Sequence, residues 1–184
     1  MLRRWARERL RDFLARRADR RNTLIGRLRE LLTSTEVLDP PAFISRLRED
    51  ISKAKAYVLV VSPFLRKNAV NRFINDIKGR IGEIEVIVLT KPAKEIRDHE
   101  ECIRILKEHG IKVVEKEKLH FKAAVIDDDI LYIGSINLLS IVLDEYIPED
   151  YMLRFISEAL TAEVIDKAIG WKIVDEQLKP IKSI

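Results

Sequence analysis

Cysteine occurs once in this 184-residue chain, at Cys102, which excludes an internal disulfide and fits a reducing cytoplasm. Long apolar runs are missing too. None approaches the ~20 residues that span a membrane, and the N-terminus lacks the apolar core of a secretory signal, so a soluble, cytoplasmic protein is expected. The acidic pairs join no His/Cys/Asp cluster with metal-ligand spacing, so neither a metal nor another cofactor is expected. No segment repeats another. Glutamine occurs once, against 35% charged residues with abundant Lys and Glu, a balance that points to a thermophile.

What is present begins with arginine. Residues 1–30 hold eleven Arg against Glu8, Asp12, Asp19 and Glu30, a net +7 that leaves −3 on residues 31–184 of a chain whose formal net charge is +4. Leu2, Ala6, Leu10, Phe13 and Leu14, then Leu24, Ile25, Leu28, Leu31 and Leu32, recur at helical spacing. Residues 1–38 are therefore expected to form an Arg-rich amphipathic helical arm. Three uses are open to it. Arg3, Arg4, Arg7 and their neighbours could grip nucleic-acid phosphates, since guanidinium matches phosphate bidentately and affinity grows with each phosphate neutralised. Trp5 and Phe13 could seat it on an anionic membrane. Alternatively it packs on the domain or on a twin arm, with its Arg solvated.

Thr33-Ser34-Thr35 and Pro40-Pro41 interrupt the helical pattern, and residues 39–184 are expected to form the catalytic domain. Asp39 suits an N-cap with Pro40 at the first helical position, and the helix should run to about Ala54. A buried strand Tyr57–Ser62 follows, ended by Pro63, then a helix over about 69–81 and a strand over 84–89. Next come a helix from about Ala93 to His109, closed by Gly110, and a strand over 111–114. After a strand-like run Tyr151–Phe155, a helix over 160–170 should close the domain. This alternation predicts an α/β fold with a mixed, largely parallel sheet flanked by helices on both faces.

The chemistry lies in one unbroken stretch, His-Phe-Lys-Ala-Ala-Val-Ile-Asp-Asp-Asp-Ile-Leu-Tyr-Ile-Gly-Ser-Ile-Asn, from His120 to Asn137. Alternation puts Lys122, Ala124 and Ile126 on one side of a strand and Ala123, Val125 and Asp127 on the other. Asp127-Asp128-Asp129 makes a natural turn into a second, more apolar strand, Ile130–Ile133. A hairpin of this kind returns Gly134–Asn137 to the neighbourhood of His120. Gly134 would let the backbone turn sharply and approach a ligand, Ser135 and Asn137 would supply neutral donors, and Lys122 the charge. Imidazole can attack phosphorus when neutral or protonate a leaving oxygen when charged, but one ring cannot do both at once. In-line displacement needs a nucleophile on one side of the phosphate and a general acid opposite, so the simplest complete site contains two imidazoles. His99 sits in a polar run and His109 precedes Gly110 at a helix end, where it favours the helix dipole. The second imidazole should come from another copy of the chain.

The pattern H-x-K, four residues, Asp, six residues, G-S-x-N resembles the signature of the phospholipase D superfamily, whose members cleave or exchange phosphodiesters of lipids or nucleic acids. Ser62-Pro63-Phe64, Thr90-Lys91-Pro92 and Leu138-Leu139-Ser140 place the resemblance in the single-motif branch of bacterial nucleases and domains attached to helicases. The resemblance implies a homodimer with one active site on the two-fold axis, and a phosphohistidine on His120 of one protomer. His120 of the other protomer would then act as general acid and base, and Lys122 and Asn137 of both chains would hold the non-bridging oxygens. An acidic residue at the head of the last strand would fix the imidazole, which makes Asp150 the candidate and its neighbour Glu149 the alternative. Asp127 is expected to brace the site by a salt bridge or turn hydrogen bonds, and Lys91 to reach a phosphate. Phe121 departs from the family, where this position is often less bulky. A metal-independent nuclease acting on single-stranded or branched DNA is expected, with a helicase or other DNA-processing protein as a possible partner. The alternatives are a lipid phosphodiesterase or phosphatidyl transferase, and a non-catalytic nucleic-acid-binding module.

Overall fold

The computed structural model describes residues 35–95 and 98–178. Its sheet has seven strands, β1 (Thr35–Leu38), β2 (Tyr57–Val61), β3 (Glu85–Thr90), β4 (Lys112–Glu115), β5 (Ala123–Ile126), β6 (Ile130–Gly134) and β7 (Met152–Ile156), in the order β1-β7-β6-β5-β2-β3-β4. The sheet is mixed, as expected, but its parallel part is confined to β2, β3 and β4, and the other four pairings are antiparallel. A turn only a few residues long, Asp127–Asp129, makes β5 and β6 antiparallel, whereas the parallel neighbours β2, β3 and β4 are joined by helical crossovers.

The strand runs are fully buried where helices cover both faces. All of β2, Tyr-Val-Leu-Val-Val, is buried. Val58, Val60, Val86, Val88, Ala124, Ile126 and Tyr132 pack beneath α1 (Pro40–Lys53), α2 (Lys67–Ile77) and α3 (His99–Glu108). Leu59, Val61, Ile87, Leu89, Val125 and Leu131 face Ile165, Ile169 and Val174. Those three residues come from the segment of α4 (Glu158–Val164), one π-helical turn (Ile165–Ile169) and α5 (Trp171–Gln177). Each such side chain contributes about 1.5–3 kcal/mol by leaving water.

The helix ends follow from their residues. Asp39 Oδ1 accepts the Ala42 N–H at 2.9 Å, with Pro40 inside the first turn of α1. The helix expected over 93–109 is interrupted, because Asp98 takes a left-handed backbone (φ 62°) and α3 starts only after it. Gly110, at φ 78°, ends α3 with Ile111 N–H returning to Leu106 O at 3.1 Å. The closing helix begins earlier than expected because Ser157 caps it, accepting from Leu160 N–H at 3.2 Å.

Residues 35–38, counted with the arm on sequence grounds, belong to the sheet instead. β1 pairs with β7, Leu38 opposite Met152, and a buried ionic cluster fixes this border to α1. Arg154 of β7 grips Asp50 of α1 through Nε at 2.7 Å and a second nitrogen at 3.1 Å, and reaches Glu36 of β1 at 2.8 Å. Glu36 in turn accepts from Arg46 at 2.9 Å, and the Tyr132 hydroxyl donates to Asp50. Burial works against a charged Arg154, yet the Asp50 hydrogen bonds and charge hold its guanidinium above its usual range. Burial, then Asp50, pushes the Tyr132 phenol up. Arg3, Arg4 and Arg7 lie outside the described residues, with the rest of the arm to residue 34.

Candidate active site

The register puts the chemistry at one end of the sheet. At this upper rim β2, β3, β4 and β6 finish while β5 and β7 begin, since Val61 lies opposite both Leu89 and Ala123, Ala123 opposite Ile133, and Gly134 opposite Met152. His120 and Lys122 lead into β5 from this rim, and Ser135 and Asn137 leave β6 at the same rim. Asp150 leads into β7 beside them, and Lys91 follows β3. The hairpin thus brings both halves of the contiguous motif together.

His120 is exposed, and Lys122, half-buried, donates from Nζ to the His120 carbonyl at 3.0 Å. Within β5, Ala124 and Ile126 face one core and Ala123 and Val125 the other, against which Phe121 also packs. Asn137 opens a turn in which its carbonyl accepts from Ser140 N–H and Ile141 N–H, both at 3.0 Å. Its side-chain Oδ1 is buried and has no hydrogen-bond partner. An amide oxygen can only accept a hydrogen bond, so a phosphate oxygen at this side chain would have to be met by its Nδ2 donor.

Other residues of the motif serve the frame. A Cβ at Gly134 would stand 2.9 Å from Met152 Cα and closer still to the Tyr151 carbonyl, so glycine lets β7 lie against β6. Ser135 is engaged with Tyr151, its N–H donating to Tyr151 O at 3.0 Å and its Oγ accepting Tyr151 N–H at 3.1 Å. Instead of facing outward as a donor, Ser135 fixes the start of β7 and with it Asp150. Asp150 is half-buried with its N–H on Ile147 O at 3.0 Å, while Glu149 is exposed.

Asp127 stands at the opposite, lower rim, roughly 20 Å of chain from His120 at strand rise. Its carboxylate accepts backbone N–H groups of Lys55 (2.9 Å), Ala56 (2.8 Å) and Tyr57 (3.1 Å). It braces the hairpin against β2, and the expected place for it in the site is corrected accordingly: seven residues of extended chain carry it away from His120. Neither other histidine reaches the motif. His99 is fully buried with Nε2 2.9 Å from Thr90 Oγ1. His109 caps the far end of α3, its Nδ1 2.9 Å from Ile105 O.

Two supports were not legible in the sequence. Ser62, fully buried, donates to Phe64 O at 3.0 Å and accepts Leu139 N–H at 3.2 Å. Arg72 of α2 donates to Ile141 O at 3.1 Å and Leu138 O at 3.2 Å, tying down the turn that Asn137 begins. Burial lowers the pKa of this guanidinium. Arg72 is a lone Arg on an amphipathic helix, and such residues usually mark a wet face, so no signal in the sequence separates it from its neighbours. Among the described residues no group of three His, Cys, Asp or Glu could hold a metal ion, and no helix is long and apolar enough to cross a membrane.

Residues 47–163 match the family described as cardiolipin synthase, PLD-like domain. The chain is similar in structure to Nuc from Salmonella typhimurium, a phospholipase D family member, at 15% identity and TM-score 0.60, covering 82% of this chain and 99% of that one. It is also similar to TrmBL2, an archaeal chromatin protein with a novel mode of DNA binding, at 14% identity and TM-score 0.52, covering 97% of this chain and 67% of that one. A third likeness is to phosphatidylserine synthase from Haemophilus influenzae, at 16% identity and TM-score 0.57, covering 72% of this chain and 36% of that one. No curated protein sequence matches the chain significantly.

Proposed function

Because this chain belongs to the family of PLD-like domains, we propose that it is a metal-independent phosphodiesterase that cleaves DNA at the upper rim, through a phosphohistidine on His120 completed across a homodimer. The observation that carries this reading is the exposed His120 on the rim to which the β5–β6 hairpin also brings Lys122 and Asn137. A nitrogen of one His120 attacks phosphorus, the P–N bond forms and the P–O bond to the leaving oxygen breaks. The partner copy's imidazolium gives that oxygen its proton. Water then attacks phosphorus, surrenders a proton to the same imidazole, and the P–N bond breaks. Lys122 Nζ and Asn137 Nδ2 donate to the non-bridging oxygens as charge accumulates, and Ser135 keeps Asp150 in place to orient the imidazole. Asp150 suits this task better than Glu149 because it is the less exposed of the two. The arm's Arg3, Arg4 and Arg7 would add phosphate contacts away from the cut.

A homodimer fits two facts. One chain offers only one accessible imidazole at the rim, and Tyr146, Ile147 and Tyr151 are exposed on the segment leading through Asp150 into β7. A second reading, a lipid phosphodiester as substrate, is favoured by the same apolar side chains. Incubation with end-labelled DNA, and separately with phospholipid vesicles, in excess EDTA decides between them. DNA cleavage that survives chelation and disappears in His120→Ala supports the nuclease. Headgroup release without DNA cleavage would replace it with the lipid reading.

A further inference from the structure

The upper rim carries an aromatic that neither the motif nor the core uses. Phe64 follows β2 and is 39% exposed, although its neighbours Pro63 and Leu65 are buried. Its backbone is not loose. The Ser62 hydroxyl donates to Phe64 O at 3.0 Å, Ser62 is held by Leu139 N–H, and Arg66 N–H donates to Leu139 O at 2.7 Å. The loop that carries the exposed ring is therefore hydrogen-bonded to the turn that Asn137 opens. β2 and β5 pair up to Val61 opposite Ala123, so Phe64, three residues past β2, and His120, three residues before β5, leave the sheet at the same rim. Lys91, at the end of β3, has its ammonium 4.8 Å from the Phe64 ring centroid. Lys91 has no carboxylate partner among the described residues.

A rigid, half-wet aromatic ring with an uncommitted cation beside a phosphodiester site fits one ligand chemistry well. A nucleobase stacks on the ring while the cation takes the adjoining phosphate. The other exposed apolar residues of this rim, Tyr146, Ile147 and Tyr151, share their segment with Asp144, Glu145, Glu149 and Asp150, which repel phosphate. The two sides of the rim thus differ in charge, and only the Phe64 side suits a nucleic-acid strand.

We propose that Phe64, with Lys91, is a base-stacking platform that holds the nucleotide next to the scissile phosphate and selects single-stranded over duplex nucleic acid. This inference rests on the reading of the His120 rim as a nucleic-acid site. Bases of a duplex are already stacked on one another, so only an unpaired base can be taken up by the ring.

The test uses the full chain and a fluorescent oligothymidylate, with anisotropy reporting binding and gel analysis reporting cleavage. Phe64→Ala and Phe64→Leu should each weaken single-strand binding about tenfold, and Phe64→Tyr should retain it. An abasic nucleotide at the cut position should cost the native protein a similar factor and cost Phe64→Ala nothing further. Unchanged binding in Phe64→Ala overturns the proposal. So does a loss that tracks a change of oligomeric state in sedimentation, which would assign the ring to an interface between copies. Because anisotropy is read without turnover, a protein that binds through Phe64 but cuts nothing would sink the catalytic reading and leave this one standing.

Discussion

The two ends of the β5–β6 hairpin carry similar residues and treat them in opposite ways. At the lower rim the Asp127 carboxylate takes N–H groups from three consecutive residues, and Asp127 N–H itself donates to Tyr57 O at 3.0 Å. At the upper rim His120 stands in solvent and Asn137 keeps an unpartnered buried oxygen. The polar groups of this eighteen-residue motif therefore differ in how far the protein itself satisfies them. Asp127, with three backbone donors on its carboxylate, holds the fold, whereas the exposed His120 is open to a substrate. The contrast also explains why an aspartate inside the motif need not be catalytic.

The sharpest way to break the contrast is to exchange the consequences of substitution at its two ends. His120→Ala should lower DNA turnover at least about a thousandfold, the scale expected when a nucleophile is removed. Being exposed, it should leave the urea unfolding free energy within about 0.5 kcal/mol. Asp127→Ala should do the reverse. It strands three backbone donors and should cost about 2–4 kcal/mol in the same unfolding experiment, while turnover per folded molecule stays within about twofold. If turnover fell with Asp127→Ala beyond the loss of folded protein, the division into two rims would be wrong.

A smaller effect tests the framing of the upper rim. Arg72→Ala should loosen the turn of residues 137–141 and lower kcat about tenfold, with about 1–2 kcal/mol of stability lost. A conserved kcat would show that Asn137 does not depend on this support. The smallest effect lies at the lower rim. Burial, then the Asp127 charge, raises the Asp129 carboxyl above its ordinary value. A carboxyl raised in the folded state binds its proton more tightly there, so its stabilising share is present at low pH and lost as pH rises through the folded value. Asp129→Asn should therefore raise Tm slightly at pH 7, with the gain vanishing as pH falls below the usual carboxylate range. A gain that persisted at low pH would place its origin outside the titration.

How much of this was legible in the chain depended on sequence distance. The hairpin and the meeting of His120 with Asn137 could be read because their residues are contiguous and alternate cleanly. β1 could not, since Thr35-Glu36-Val37-Leu38 is four residues long and buries only Leu38, so it reads as the end of the arm. The Asp50–Arg154 pair joins residues 104 positions apart, and nothing local announces it. Gly134 was legible as a special position but not for its reason, because the backbone it accommodates belongs to β7. The brace at Asp127 was expected as a role, yet its partners at Lys55, Ala56 and Tyr57 are set by the tertiary pairing of β2 with β5.

The measurement closest to the central claim is chemical trapping of the intermediate. The full chain is mixed with labelled single-stranded DNA in excess EDTA, quenched in base within a turnover and digested, and the modified peptide is located by mass spectrometry. The account predicts an acid-labile phosphoryl adduct on His120, absent from His120→Ala. Cleavage that proceeds in His120→Ala, or an adduct on another residue, would contradict it.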